Sequence, residues 1–397
     1  MSEMSYLEKL LDGVEVEWVT LGSMADIGTG SSNRQDESEN GIYPFYVRSK
    51  NILKSDTFEF DEVAIVIPGE GGIGDIFHYV EGKYALHQRA YRIRITTNAV
   101  DTKFLYYFMS SSFKQYILTK SVGATAISIR KPMLEGFKVP IPSPDNPEKS
   151  LAIQSEIVRI LDKFTALTAE LTAELNMRKK QYNYYRDQLL SFKEGEVEWK
   201  ALGEIGEVRM CKRILKSQTS SEGEIPFYKI GTFGKEPDSY ISRKLFNEFK
   251  EKYSYPKVGE VLISASGTIG RTVIFDGRES YFQDSNIVWI ENNEKIVLNK
   301  YLFYFYKIAK WGISEGGTIK RLYNDNLRKL MIPVPFPDSP ERSLVEQQKI
   351  VKLLDKFDAL TNSITEGLPR EIELRQKQYE YYRDLLFSFP KPDTVSN

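Results

Sequence analysis

Cysteine is nearly absent from this sequence: Cys211 stands alone among 397 residues, so no internal disulfide can form and a reducing compartment suits the chain. Histidine is almost as scarce. His78 and His87 lack companions at the spacing that a zinc site or a nucleophilic triad requires. No apolar run is long enough to span a bilayer. No basic stretch followed by an apolar one opens the chain, so no export signal is expected and the location expected is cytoplasmic. Neither sign of charge dominates: 54 Lys and Arg face 55 Asp and Glu, for a net charge of −1. That excludes a uniformly basic nucleic-acid sponge and leaves room for local basic patches. A Gly-x-x-x-x-Gly-Lys-Ser/Thr loop is missing, as is any Asn-Pro-Pro or Asp-Pro-Pro motif whose carbonyls could orient an amine for methylation.

What the chain does have, it has twice. Val16–Gly22 (VEWVTLG) returns as Val197–Gly203 (VEWKALG), and Pro44-Phe45-Tyr46 as Pro226-Phe227-Tyr228. Leu161-Asp162-Lys163-Phe164 returns as Leu354-Asp355-Lys356-Phe357, and Tyr184-Tyr185-Arg186-Asp187 as Tyr381-Tyr382-Arg383-Asp384. A repeat of roughly 180–200 residues is too long for a solenoid and right for a duplicated domain with its helix.

Each copy opens with a mixed α/β part. Val63–Ile67 and Val261–Ser264 read as buried strands. Phe104–Ile117 and Tyr301–Trp311 read as helices with aromatic faces, and Val139–Ile141 and Ile332–Val334 as short closing strands. After Pro142-Ser143-Pro144 and Pro335-Phe336-Pro337, apolar residues fall three or four apart. Ile157, Leu161, Phe164, Leu171, Leu175 and Tyr185 mark the first stripe; Ile350, Leu354, Phe357, Ile364 and Tyr382 mark the second. This is the pattern of amphipathic helices that pack on other helices. About 36 residues of helix would reach about 54 Å. Gly367 and Pro369 predict a break in the second. Ser5-Tyr6-Leu7-Glu8 fits a capping box. Leu10-Leu11 precede the first Val-Glu-Trp as Leu189-Leu190 precede the second, so the two chain ends are expected to meet. The fold class expected is mixed α/β: two similar domains joined by two long helices packed as an antiparallel coiled coil, pseudo-two-fold and cyclic. The expected divisions are an N-terminal helix at 1–13, domains at 14–147 and 195–340, and helical spacers at 148–194 and 341–397.

The copies differ in their polar tips. Gly69-Glu70-Gly71-Gly72-Ile73-Gly74 faces Gly267-Thr268-Ile269-Gly270. His87-Gln88-Arg89 faces Gln283-Asp284-Ser285-Asn286, and Ser128-Ile129-Arg130-Lys131 faces Arg321-Leu322-Tyr323-Asn324. A shared frame with different loops suggests two readers of different text; drift after duplication is the plainer alternative.

Three patterns imitate catalytic sites. Asp26-Ile27-Gly28-Thr29-Gly30 looks like a cofactor loop for S-adenosylmethionine, but the second copy, Glu204-Ile205-Gly206-Glu207, loses the last glycine. Gly69-x-Gly71-x-x-Gly74 fits a dinucleotide fingerprint, yet Asp75–Val80 reads as strand, so no helix N-terminus would meet a pyrophosphate and a hairpin is expected. The Tyr182/Tyr184/Tyr185 and Tyr379/Tyr381/Tyr382 groups could stack on bases, but beside leucines at helical spacing they read as packing surface. No metal site, cofactor or catalytic residue is expected in this chain.

With these features the chain resembles, over essentially its whole length, the specificity subunits of type I restriction–modification enzymes. The likeness rests on the paired Val-Glu-Trp-x-x-Leu-Gly segments, the Gly-Thr-Ile-Gly-Arg hairpin at Gly267–Arg271, the Pro-x-Pro turns leading to Gln154 and Gln347, and the two helical spacers. The Tyr-Tyr-Arg-Asp helix ends and the doubled Thr-Ala-Glu-Leu of Thr168–Leu175 resemble the plasmid-borne, type IC-like subfamily most. The resemblance implies a non-catalytic subunit whose two domains each read half of a split, asymmetric double-stranded DNA target. It implies two methyltransferase subunits on the helices, carrying S-adenosylmethionine, and restriction subunits that use ATP and magnesium. Candidate DNA contacts in the first domain are Arg34, Arg48, Lys50, His87, Gln88, Arg89, Arg130 and Lys131. In the second they are Lys212, Arg213, Lys216, Thr268, Arg271, Asn286, Lys320 and Arg321. The competing readings are a self-sufficient methyltransferase or nuclease with fused recognition domains, against which the missing motifs argue, and a dimeriser that ignores nucleic acid.

Phe164 to Tyr182 spans 18 positions, whereas Phe357 to Tyr379 spans 22. Each Thr-Ala-Glu-Leu block is about one helical turn, roughly 6 Å. Deleting one block is expected to move the gap between half-sites by about one or two base pairs, at about 3.4 Å per pair, and to leave the half-site letters alone. Sequencing methylated sites in that variant checks it; an unchanged gap defeats the ruler.

Overall fold

A computed structural model describes residues 6–72, 74–120, 128–193, 195–312 and 321–391. The Ser5 capping box lies outside them. In chain order the first copy holds α1 (Tyr6–Leu11), β1 (Val16–Thr20), β2 (Ala25–Thr29), β3 (Tyr43–Tyr46), β4 (Leu53–Ser55), β5 (Phe60–Pro68), β6 (His78–Leu86), β7 (Ala90–Ile95), α2 (Thr102–Lys120), α3 (Lys131–Glu135), β8 (Lys138–Pro142) and α4 (Pro147–Leu189). The second holds β9 (Val197–Ala201), α5 (Leu202–Ile205), β10 (Gly206–Arg209), β11 (Ile225–Tyr228), β12 (Tyr240–Ile241), α6 (Arg243–Lys252), β13 (Val261–Ser264), β14 (Thr272–Ile274), β15 (Tyr281–Phe282), β16 (Ile287–Asn292), α7 (Asn299–Tyr306), α8 (Asn324–Arg328), β17 (Met331–Pro335), α9 (Pro340–Asn362) and α10 (Gly367–Leu386).

These elements form two compact units. Met1–Thr172 and Glu371–Asn397 make one, and Ala173–Arg370 the other. The first unit therefore contains both chain ends, and the Trp18 indole N–H donates to the Pro390 carbonyl at 2.8 Å. Its main sheet runs β2-β7-β5-β6-β3-β4. The second unit repeats that order in two pieces, β10-β16-β13-β14 and β12-β11-β15. One long strand, β6, is represented there by the separate β14 and β15. Parallel pairing of β3 with β6 matches that of β11 with β15. The Val-Glu-Trp strands pair with the closing strands in identical register: Trp18 faces Pro140, and Trp199 faces Pro333.

Of the run Val63–Ile67, Ala64, Ile65, Val66 and Ile67 are buried and fill the centre of the sheet, as in a strand covered on both faces, whereas Val63, expected in the buried strand, is 37% exposed. Over it lies α2, whose Phe104, Leu105, Phe108, Met109 and Phe113 are buried. In the second unit α7 ends at Tyr306, short of the Trp311 that the sequence suggested. The N–H groups of Lys307 and Ile308 turn to carbonyls only three residues back, which closes the last turn tightly. The chain then carries the Trp311 indole against Gly270, where an added Cβ would lie 2.2 Å from it. The Asp75–Val80 expectation also shifts: the strand begins at His78, and residues 75–77 finish the turn before it.

Each domain is fastened to the start of its spacer helix by a fully buried glutamine. Gln154 Oε1 accepts from the Asp101 N–H at 2.8 Å, and its Nε2 donates to Ala99 O at 2.9 Å and Ser150 Oγ at 3.1 Å. Gln347 repeats this with Leu298 N–H at 2.9 Å, Ile296 O at 3.0 Å and Ser343 Oγ at 3.1 Å. Two turns further on, Asp162 accepts from Tyr107 OH and Lys103 Nζ, both at 2.6 Å, and Asp355 from Tyr304 OH at 2.6 Å and Lys300 Nζ at 2.7 Å.

The spacers end on aromatic stacks. Phe164 lies on Tyr382 in the first unit, with ring centroids 5.3 Å apart, and Phe357 on Tyr185 in the second, 5.6 Å apart. Helix α4 runs unbroken for 43 residues. The second path breaks at residues 363–366, just before the expected glycine, and Pro369 falls in the first turn of α10, where its missing N–H costs nothing. Ile364, expected on the helical stripe, sits in that break and is 80% exposed. Gly367 has φ +77°, and a Cβ there would meet the Ala359 carbonyl at 2.4 Å.

Replacing Gln347 by leucine leaves a buried N–H and a buried carbonyl without partners, at about 1–3 kcal/mol each. Urea unfolding of the Gln347→Leu chain is expected to show a loss of about 2–5 kcal/mol, whereas Gln348→Leu, one residue along the helix, should change stability little.

Candidate nucleic-acid interface

In the first unit the turns after β3, after β5 and between β6 and β7 converge. Arg34, Arg48, Ser49, Asn51, Glu70 and His87 line a cleft of about 510 Å³ there. Arg48 and Arg89 each direct Nη1 to Glu70 Oε2, at 3.0 and 3.1 Å. The Arg89 guanidinium, with Arg48 beside it, holds the Glu70 carboxyl below the usual carboxylate range. His87 is buried beneath them. Burial pushes its pKa down, and the two arginines push the same way, so it is neutral at pH 7. Its Nδ1 accepts the Arg89 N–H at 3.0 Å, which leaves the proton on Nε2. Gln88 Nε2 donates to Asn33 Oδ1 at 2.6 Å.

The structure thus brings Arg34, Arg48, His87, Gln88 and Arg89 together. Lys50 is exposed two residues beyond Arg48. Arg130 is exposed just past Ser128, which bridges to Glu70. Lys131 lies elsewhere, 3.8 Å from Glu135. The sequence reading missed Glu70, which it had placed among the glycines of a hairpin. That hairpin is real: β5 and β6 are antiparallel, and no helix follows.

The second unit has the corresponding edge. Ser266 Oγ donates to Asn286 Oδ1 at 2.8 Å, and Arg321 Nη2 to the Ser285 carbonyl at 3.0 Å. Arg213 pairs with Asp284 at 3.3 Å. Arg271 donates to Phe233 O at 3.0 Å and Thr268 Oγ1 at 3.4 Å, so its guanidinium braces a neighbouring loop. Lys212 stands 5.1 Å over the Tyr253 ring. Lys216 is exposed in a separate short turn. Lys320 lies outside the described residues. Among the described residues no group of His, Cys, Asp and Glu could hold a metal ion, and no helix is long and apolar enough to cross a membrane.

The family described as "Type I restriction modification DNA specificity domain" matches residues 13–178 and 194–374. The chain belongs to this family. It is 49% identical over 97% of its length, and 98% of the relative's, to a putative type I restriction enzyme specificity subunit of Haemophilus influenzae. It is 41% identical over the full length of both chains to the specificity subunit of the EcoR124I/EcoR124II enzyme of Escherichia coli. A crystal structure of a type I restriction–modification S subunit from M. genitalium shares the fold, with a TM-score of 0.59 at 18% identity over 96% of this chain and 98% of that one. The chain is therefore a type I specificity subunit, two similar mixed α/β domains joined by helices, and as such a non-catalytic member of a larger complex. In the Asp26–Gly30 segment, Asp26 lies within a strand and pairs with Arg92 at 2.7 Å.

Beside Lys212 and Arg213 of this specificity subunit, Cys211 is buried among Phe227, Tyr281 and Phe282, and burial pushes its thiol up to about 12. Iodoacetamide at pH 8 is expected to label the native chain at least 100-fold more slowly than the urea-unfolded chain, since only the thiolate reacts. Rapid native labelling would mean that the Lys212–Arg213 loop is not anchored as described.

Proposed function

We propose that each domain reads one half of an interrupted, asymmetric DNA target through the edge just described, while the helices carry the subunits that do the chemistry. The observation that carries this reading is the convergence, in both copies, of the non-matching polar residues on the same edge of a matching sheet. Sequence-invariant parts form the frame, and sequence-variant parts form one surface. Arg34, Lys50, Arg130, Lys212, Arg213 and Lys216 are placed to meet phosphates. Arg48, His87, Gln88, Arg89, Thr268 and Asn286 stand nearest to where base edges would lie, and Arg321 supports Asn286 by holding the Ser285 carbonyl. Lys131, paired away from the cleft, and Arg271, engaged in bracing a loop, are set aside as direct contacts.

Two methyltransferase subunits bringing S-adenosylmethionine, and restriction subunits bringing ATP and magnesium, would complete a cytoplasmic complex. The exposed Tyr184 and Tyr381, set edge-on to Tyr185 and Tyr382, suit a protein partner on the spacer better than a base stack.

If about six phosphates are neutralised, duplex binding should fall by about 10³ between 50 and 200 mM salt. Methylated adenines mapped in a host carrying the chain and its methyltransferase partner should define two short blocks separated by unread positions. A single uninterrupted block, or methyl transfer by the purified chain alone, would overturn the reading.

A further inference from the structure

The main-chain hydrogen bonds align the two reading edges residue by residue. Gly69 donates to Arg89 O and accepts from Ile129; Ala265 donates to Asn286 O and accepts from Leu322. Isolated bridges join Glu70 to Ser128 and Ser266 to Arg321. Gly71 and Gly267 follow with φ +68° and +66°, and Gly74 and Gly270 with φ +74° and +81°. Glu70 and Ser266 are therefore one position, and Arg89 and Asn286 are another. In both units the side chains at these positions bond to each other: Glu70 with Arg89, and Ser266 with Asn286.

We infer that this matched pair is a base reader, with Glu70 and Arg89 selecting a G·C pair in one half-site and Ser266 and Asn286 selecting an A·T pair in the other. The inference rests on the reading of the domains as half-site readers. Arginine matches the N7 and O6 acceptors of guanine with two parallel N–H groups, and a carboxylate accepts from the N4 amine of cytosine. Asparagine donates to N7 and accepts from N6 of adenine, and serine serves either.

The surroundings fit that use. The Arg48, Glu70 and Arg89 side chains are each about half exposed, and ion pairs so exposed contribute little to stability. The cluster is not needed to hold the fold. Each arginine gives only Nη1 to the carboxylate, and among the described residues the other N–H groups of its guanidinium have no protein acceptor. In the second unit the amide nitrogen of Asn286 has no protein acceptor among the described residues, while its oxygen is oriented by Ser266. Ser285, beside it, holds φ +53°, a left-handed conformation uncommon for serine. Arg321 clamps that carbonyl. Arg321 is thus a positioning residue: it fixes the turn that presents Asn286.

The test uses the full chain with its methyltransferase subunits. After the target is mapped, duplexes carry 7-deazaguanine at each guanine of the first half-site, or 7-deazaadenine at each adenine of the second. One 7-deazaguanine, which removes N7 and keeps O6, is expected to weaken binding by wild type about tenfold. That penalty should vanish in Arg89→Met, which keeps an unbranched side chain but has no donor, and in Glu70→Ser/Arg89→Asn. Asn286→Ala should erase the matching 7-deazaadenine penalty and leave the first half-site unchanged. Methylation maps of the same variants should lose one letter in one half-site and retain the gap. If the paired variant melts early, Arg89→Met and Asn286→Ala decide. A wild-type complex indifferent to every deaza base, or variants that retain the full penalty, would overturn this inference while leaving a bipartite methylation map intact. A wild-type map without two blocks would instead overturn the reading beneath it.

Discussion

A recognition domain is useful only if it cannot rotate on its support, and here that constraint is met by one glutamine per copy. Gln154 and Gln347 are fully buried, and each satisfies the main chain on both sides of a turn with its two amide ends. An amide locked by three hydrogen bonds has one orientation, because any rotation strands a buried donor or acceptor. The Tyr-Asp-Lys clasps two turns later, Tyr107-Asp162-Lys103 and Tyr304-Asp355-Lys300, add a second point of attachment. Two points on one helix fix tilt as well as position. The register of a domain on its target is then inherited from the helix and does not have to be re-established by DNA contacts.

Around that constraint the copies diverge in ways the frame tolerates. Where the first unit has Ser110 and Thr165, the second has Lys307 and Asp358, 3.2 Å apart and half buried under Tyr182, Phe303 and Tyr304. Burial pushes the Lys307 pKa down, and Asp358 opposes the shift. A buried ion pair of this kind gains little over an apolar filling of equal shape, because desolvation offsets the attraction. It is a local solution to packing after α7 stops at Tyr306, and it leaves the clasp beside it unchanged.

The duplicated frame was legible because it is carried by residues whose spacing states their role. Val-Glu-Trp marked the start of each copy, Val139–Ile141 and Ile332–Val334 read as closing strands, Leu-Asp-Lys-Phe lay on the packed helical stripe, and the glycines after Val63–Ile67 read as a hairpin. What could not be read was long-range partnership. Lys103 and Tyr107 lie four apart, as do Lys300 and Tyr304, so a shared acceptor was foreseeable in kind, but nothing local identifies it as Asp162 or Asp355. The end of α7 escaped for a similar reason: helical periodicity continues to Trp311, and tertiary demand from Gly270 overrides it. Ile364 fits the heptad rhythm, yet the second path carries four more residues than the first, and they leave the helix there. Of the candidate contacts, positive charge was visible and intramolecular engagement was not: Lys131 turns to Glu135, and Arg271 to the Phe233 carbonyl.

On the proposed reading, Glu70 explains how an acidic residue serves a DNA-reading edge and why a net charge of −1 is no obstacle to the role. Two arginines facing an empty groove would bind any phosphate they met. Held against one carboxylate, they meet non-specific DNA partly neutralised, and the attraction that drives indiscriminate binding is reduced. A guanine in register offers Arg89 two acceptors in place of one, and a paired cytosine offers Glu70 a donor in place of an arginine, so both partners can exchange without either being stranded. A wrong base pair offers no such exchange, so the ion pair stays closed and the polar edge of that base pair is left desolvated without a partner, which is costly. Selectivity then arises from what the mismatch leaves unpaired, which is how a small number of polar side chains on a rigid edge can discriminate between base pairs.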